Sequence, residues 1–324
     1  MLLKVEGLSM EYTGANGGPP VQAVSDVSFS LKSGEVLGVV GESGCGKSTL
    51  ARTVLRLCRP TAGRIEFDGI DITKLGRRAL KPIRKSMQVV FQDPFGALNP
   101  RHTVATIIGE PLKVHGVGND DSARHLRVQE LLSLVGLPTS AAGRLPHEFS
   151  GGQRQRIAIA RALALQPKLL VADEAVSALD VSIQSQIINL ISDLQQQLGL
   201  AILFISHDLS VVRHVCDRIA VMYLGHIVET GTVEEVMSSP QHPYTQALIS
   251  AIPGWSDGEN RIVLSGEIPD PAFPPAGCVF NTRCAHVMPV CRDQRPELSW
   301  RKTGSGITRN CNACFLHDLA TGIE

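Results

Sequence analysis

Long apolar runs are missing from this chain. No stretch approaches the roughly 18 consecutive apolar residues that a membrane-spanning helix requires, so a membrane role would have to come through a partner. A charge excess is missing too: Lys plus Arg and Asp plus Glu each come to 31. That balance gives no electrostatic footprint for nucleic acid, and no block of like charge marks a tail. A signal peptide is not evident, because Met1-Leu2-Leu3-Lys4-Val5-Glu6 alternates in the manner of a first strand. The expectation is a soluble, cytoplasmic protein. No internal repeat is visible. What is present is a hydrophobic content of 43 % over 324 residues, enough for one large domain and a smaller one.

The densest chemistry lies in Gly41-Glu42-Ser43-Gly44-Cys45-Gly46-Lys47-Ser48-Thr49, which follows the apolar run Val36-Leu37-Gly38-Val39-Val40. The pattern is G-x-x-x-x-G-K-S, and strand, loop and helix in that order make a phosphate-binding P-loop. Glycines let the loop curl so that consecutive backbone N–H groups converge on an anion. The helix starting near Lys47 adds its positive end. The nucleotide-binding set is therefore Gly41, Ser43, Gly44, Cys45, Gly46, Lys47, Ser48 and Thr49. Lys47 is placed to reach the β- and γ-phosphates, and the Ser48 hydroxyl to hold Mg²⁺.

A second motif narrows the reading. Phe149-Ser150-Gly151-Gly152-Gln153 precedes the helical run Ile157 to Leu163. Ser150 is a good N-cap, and the two glycines expose backbone N–H groups at a helix start. One chain has little use for two γ-phosphate clamps, whereas two chains facing head to tail can each complete the other's site. Leu169-Leu170-Val171-Ala172-Asp173-Glu174 fits a buried parallel strand ending in two carboxylates. Asp173 is a candidate Mg²⁺ ligand, directly or through water, and Glu174 a candidate general base for the attacking water. Two more apolar runs end in polar clusters, one at Ser206-His207-Asp208 and one at Phe91-Gln92-Asp93.

In this order the segments resemble the ATP-binding cassette (ABC) ATPases. The resemblance makes Ser150-Gly151-Gly152-Gln153 the signature, and Ser177-Ala178-Leu179-Asp180 the D-loop that crosses the dimer interface. It makes His207 the switch histidine on the γ-phosphate, and Gln92 the Q-loop glutamine that couples the Mg²⁺ site to a transmembrane partner. Tyr12 is the candidate for stacking on adenine. Longer stretches narrow the likeness to the F-type ATPase subunit of bacterial oligopeptide and dipeptide importers: Gly38 to Leu50, Val90 to Pro100, Pro146 to Arg156, Val176 to Gln184, Met222 to Gly231, His242 to Pro253 and Gly277 to Cys284. Phe149 stands where Leu is commoner, and Ala175 where Pro usually follows the two carboxylates; neither touches a catalytic group. The implied partners are a second cassette of the D-type, two permease subunits and, indirectly, a substrate-binding protein, with no nucleic acid. The implied location is peripheral, on the cytoplasmic face of the membrane. Other cargoes of the same class (nickel, glutathione, sugars) or a soluble non-transport ABC role are the competing readings.

The expected architecture is α/β, with the parallel-sheet core of a P-loop NTPase (RecA-like), a β subdomain and an inserted helical signature subdomain. Residues 1–240 read as the cassette, with the helical insertion over about 98–164, and residues 241–324 as a separate C-terminal region. Prolines rule out long helices over most of Gly254 to Gly277, so an extended tail is expected there. Of eight Cys, Cys45, Cys58 and Cys216 are scattered and read as small buried hydrophobes. The others, Cys278, Cys284, Cys291, Cys311 and Cys314, crowd the tail in a spacing unlike a zinc ribbon. Clustered thiols in a reducing compartment favour metal. The family resemblance implies a [4Fe–4S] cluster on Cys278, Cys284, Cys291 and Cys314, with Cys311 the alternative to Cys314, and zinc or plain reduced thiols the other readings.

Overall fold

Patterning at period two and period 3.6 sorts the chain into strands and helices that fall into two compact units, Met1–Leu31, Val36–Lys74 and Ser206–Glu324 in the first and Lys32–Glu35 and Leu75–Ile205 in the second. The computed structural model describes residues 1–14, 17–118, 120–177, 179–252, 261–303 and 306–317. Ala178 of the expected D-loop and the start of the Pro-rich stretch, at 253–260, lie outside the described residues.

The first unit opens with β1 (Leu3–Tyr12), β2 (Val21–Leu31), β3 (Val36–Val40), α1 (Lys47–Val54), β4 (Ala62–Phe67) and β5 (Ile70–Asp71). The second carries α2 (Arg77–Ser86), β6 (Met87–Val90), α3 (Pro94–Ala97), α4 (Val104–Val114), α5 (Asp121–Leu134), α6 (Gly151–Leu163), β7 (Leu169–Asp173), α7 (Val181–Leu198) and β8 (Ala201–Ser206). The chain then returns to the first unit with α8 (Leu209–Val215), β9 (Arg218–Tyr223), β10 (His226–Thr232), α9 (Val233–Ser238), α10 (Pro243–Ser250), α11 (Pro289–Asp293), β11 (Ser299–Thr303) and β12 (Gly306–Asn312).

In the first unit, β1 is flanked by β2 and β4 in an antiparallel sheet ordered β2-β1-β4-β5. A second set runs β11-β12-β10-β9-β3, where β3 and β9 are parallel and the rest antiparallel. Every residue of β3 is buried, as expected of a parallel strand covered on both faces. The hairpin between β9 and β10 turns at Leu224 and Gly225, both at positive φ (43° and 80°). Those are the dihedral signs of a two-residue type I′ turn.

The second unit holds the parallel set β8-β7-β6. Both β7 and β8 are buried throughout. Helices α4, α5 and α6 supply the helical insertion, and α7 covers Val181–Leu198. Its buried residues, Ile187, Ile191 and Leu194, recur at i, i+4 and i+7, one stripe of a helix. No helix among the described residues is long and apolar enough to cross a membrane.

The tail is more regular than its prolines suggest. No helix occurs at 261–277, but β12 pairs with β10, setting Asn312 opposite Glu229 and Cys311 opposite Thr230. Strand β12 was invisible in the sequence because polar bonds help to anchor it. Glu229 is fully buried, and its carboxylate accepts from Gln241 N at 2.7 Å, His242 N at 2.9 Å and the Asn310 side-chain amide. No apolar alternation announces such an anchor.

Candidate nucleotide-binding site

The P-loop leaves β3 and enters α1 with its glycines under steric compulsion. A Cβ on Gly41 would stand 2.1 Å from the Met222 carbonyl oxygen, and one on Gly46 would stand 2.0 Å from that of Ala23. Gly46 also caps α1 at φ 106°, a conformation that costs glycine little, and no side chain caps that helix end. The N-terminal N–H groups of α1 are thus not claimed by a cap. Lys47 is 4 % exposed, and its ammonium donates to Gly41 O at 2.8 Å and Glu42 O at 2.9 Å. Ser43 and Gly44 are exposed, Ser48 and Thr49 half-buried. Cys45 is buried, and burial pushes its thiol above the usual range.

Two residues that sequence reasoning missed brace this loop. Tyr244 Oη accepts from Glu42 N at 2.8 Å. Arg283 donates through both terminal nitrogens to the Glu42 carboxylate, at 2.7 and 3.2 Å. The Glu42 hydrogen bonds are the leading reason the Arg283 guanidinium holds its proton even more tightly than usual. The only hint available in the sequence was an acid inside a phosphate loop.

Tyr12 ends β1 with its ring 38 % exposed and its hydroxyl 3.8 Å from the half-buried Cys58 Sγ. His207 follows β8 and is exposed. The neighbouring Asp208 caps α8 by accepting from Ser210 N at 2.8 Å.

In the second unit, Ser150 caps α6. Its hydroxyl accepts from Gln153 N at 3.4 Å, and its own N–H donates to Gln153 Oε1 at 3.0 Å, a reciprocal capping box. Ser150 and Gln153 are exposed, Gly151 half-buried. Gly152 is buried against α7, where a Cβ would meet Ile183 Cγ2 at 2.4 Å, so only glycine fits. Asp173 closes β7 with 4 % exposure. Glu174 takes φ 49°, left-handed for a residue with a side chain, and its N–H donates to Ile205 O at 3.0 Å. Such a conformation persists only where the surroundings impose it, and Asp26, Arg56, Asp68, Gln166 and Leu224 share it. Gln92 Nε2 donates to Glu174 Oε2 at 3.0 Å, which joins the loop after β6 to the carboxylate after β7. Asp180 precedes α7, exposed and without a side-chain cap bond.

A triphosphate loop, a capped glycine-rich helix end and a strand closing on two carboxylates coincide with what the comparisons find. The family model for the ABC transporter matches residues 24–177, and that for the oligopeptide/dipeptide transporter C-terminal region matches residues 228–291. The oligopeptide transport ATP-binding protein AppF of Bacillus subtilis (strain 168) is 58 % identical over 283 residues, covering 86 % of each chain. The chain belongs to the ABC transporter ATP-binding family. Solved cassettes agree in fold. The dimeric, post-hydrolysis state of the ATP-binding cassette MJ0796 bound to ADP and Pi superposes with a TM-score of 0.65 at 30 % identity, over 71 % of this chain and 98 % of that one. The cbiO1 protein of Clostridium perfringens, part of the ABC transporter complex cbiONQ, gives 0.65 at 31 %, over 74 % and 91 %. The α/β cassette fold and the ATPase class expected from the sequence therefore hold.

In the tail of this ABC subunit, burial raises the thiols of Cys278, Cys284, Cys311 and Cys314. Burial first, then the neighbouring thiols, push Cys314 up to about 12; those neighbours are Cys278, Cys284 and Cys291. Cys278 is pushed up to about 11, again chiefly by burial, with Cys291 and Cys284 adding. Cys311 is raised by burial, with Arg218 acting in the opposite direction. Among the described residues, no three His, Cys, Asp or Glu form a ready ligand set for a single metal ion. Cys278 borders a cavity of about 500 Å³.

Proposed function

We propose that this ABC subunit hydrolyses ATP to drive import of peptides across the bacterial cytoplasmic membrane, docked from the cytoplasmic face onto two permease subunits fed by a substrate-binding protein. The observation that carries this reading is the pairing, in one chain, of the P-loop cassette with a C-terminal region of the oligopeptide/dipeptide type. The test is uptake of a labelled tetrapeptide into inverted-topology controls and right-side-out vesicles carrying the reconstituted importer. Uptake that needs this chain and ATP supports the reading; ATP-dependent uptake of nickel or a sugar, with none of peptide, replaces the cargo.

In this mechanism Gly41, Ser43, Gly44, Cys45, Gly46 and Thr49 wrap the phosphates, and Lys47 leaves its loop carbonyls for the β- and γ-oxygens. Ser48, Gln92 and Asp173 would hold Mg²⁺, which when bound neutralises charge on the phosphates. Tyr12 stacks on adenine. Glu174 takes the proton of the attacking water, and its strained backbone and its bond to Gln92 orient the carboxylate for that task. His207 contacts the γ-phosphate. Ser150, Gly151, Gly152 and Gln153 close over the γ-phosphate held by a second cassette, and Asp180 lies along the contact between the two. That second cassette is a D-type relative rather than a copy. ATP's preference for the closed pair supplies the conformational work.

Residues 1–240 act as the cassette, with the insertion over about 98–164, and residues 241–324 as the family-specific region. Within it, Cys278, Cys284, Cys291 and Cys314 are the four thiols proposed for a [4Fe–4S] cluster. Four thiolates suffice for such a cluster, and Cys311 is the alternative to Cys314. Protein purified without oxygen that shows no absorption near 400 nm would remove the cluster from the proposal.

A further inference from the structure

Glu42 is the one acidic side chain in its loop. The P-loop is built to hold a triphosphate, yet its second residue is a carboxylate that would repel one. The structure answers that charge from the far end of the chain. Arg283, 241 residues away, lies against Glu42 in a two-pronged ion pair at 2.7 and 3.2 Å. The Arg283 side chain is 6 % exposed and that of Glu42 is 28 % exposed, so the pair is poorly screened by water.

The backbone of Glu42 is held as well. Its N–H donates to Tyr244 Oη at 2.8 Å, so this donor is turned to the tail and not to an anion. Its carbonyl accepts from the Lys47 ammonium at 2.9 Å. The two braces border a buried aromatic cluster. Tyr223, Tyr244 and Phe280 are buried and pack edge-on or tilted, with ring centres 4.7, 5.2 and 5.5 Å apart. Arg283 follows Phe280 by three residues, and its guanidinium carbon lies 5.9 Å from the Tyr223 ring centre.

We propose that Arg283 is a positioning residue for ATP binding, which cancels the Glu42 charge beside the triphosphate and, with Tyr244, fixes the first bend of the P-loop. The C-terminal region thereby becomes part of the nucleotide site. The assignment needs only the ATP site, and stands whatever cargo is moved.

The sign of the effect follows from Coulomb's law. Loss of Arg283 leaves a bare carboxylate near a polyanion, which weakens ATP binding; once Glu42 is neutral, the same loss has nothing to expose. The experiment is a double-mutant cycle on the full-length chain, titrated with a fluorescent N-methylanthraniloyl ATP, alongside steady-state ATPase kinetics with the partner cassette. Arg283→Gln is expected to weaken binding about tenfold. It should raise KM for ATP by a like factor, with kcat falling less than about threefold. Arg283→Lys restores part of the affinity, since charge returns without the fork. In a Glu42→Gln background, adding Arg283→Gln should change affinity less than about twofold. Equal losses in both backgrounds would make Arg283 a structural tail residue and overturn the assignment, as would unchanged affinity in Arg283→Gln. Should that variant fail to fold, Tyr244→Phe keeps the ring and removes only the acceptor of Glu42 N. Its affinity should fall about threefold, and an unchanged affinity there also defeats the proposal.

Discussion

Two helix N-termini are proposed to carry the phosphate chemistry of this chain, and they are built in opposite ways. At α1 the cap is Gly46, with no side chain offered to the exposed N–H groups. At α6 the cap is Ser150, which exchanges two hydrogen bonds with Gln153. The first end therefore has no side-chain cap, whereas the second satisfies part of its own demand. That difference fits the roles assigned here. In the proposed mechanism the P-loop binds the chain's own nucleotide, whereas the signature end would meet a phosphate only when two cassettes close.

Substitutions at the two ends should separate them. Lys47→Ala removes the cation of the first end and should weaken ATP binding by about a hundredfold or more, read by nucleotide titration; near-normal affinity would break the contrast. Glu174→Gln should lower kcat by about a hundredfold to a thousandfold while ATP still binds and holds two cassettes together. Normal turnover in that variant rules out its role as the base. Ser150→Gly deletes the hydroxyl at a cost of a few tenths of a kcal/mol to the helix, because glycine is itself a tolerated N-cap. ATPase activity should nevertheless fall about tenfold with Kd for ATP unchanged; a loss of melting temperature with intact turnover would reduce α6 to a capped helix.

The smallest effect belongs to the anchor between β10 and the tail. Burial pushes the Glu229 carboxyl up to about 6 from an ordinary 4.5, against the hydrogen bonds that lower it. A raised folded-state value means the native protein holds this proton more tightly than the unfolded chain does. Its contribution is full below about pH 4.5 and is lost as pH rises through about 6, by roughly 2 kcal/mol. The melting-temperature difference between wild type and Glu229→Gln should follow that slope. A difference that stays flat from pH 4 to 7 would show that Glu229 keeps its charge inside the fold.

What could be read from the sequence was local. Nine consecutive residues carry the P-loop, a single turn carries the signature cap, and the stripe of Ile187, Ile191 and Leu194 marks α7 over the range found. The fold class followed from apolar runs such as Leu169–Asp173, buried on both sides. What could not be read was held by distant polar pairs. Nothing near Glu42 announces Arg283, and the two apolar residues of 306–312, Ile307 and Cys311, are too few to announce a strand on β10. The strained φ of Glu174 was equally hidden, since a residue's type does not reveal a conformation imposed by its neighbours.

In the proposed mechanism this chain holds one half of each working site. Its most direct test is the ATPase rate per molecule of the full-length chain with its partner cassette, free of permeases, over a thousandfold dilution. The account predicts a rate that collapses as the pair dissociates and returns on reconcentration. A rate per molecule that stays constant across the series would contradict it.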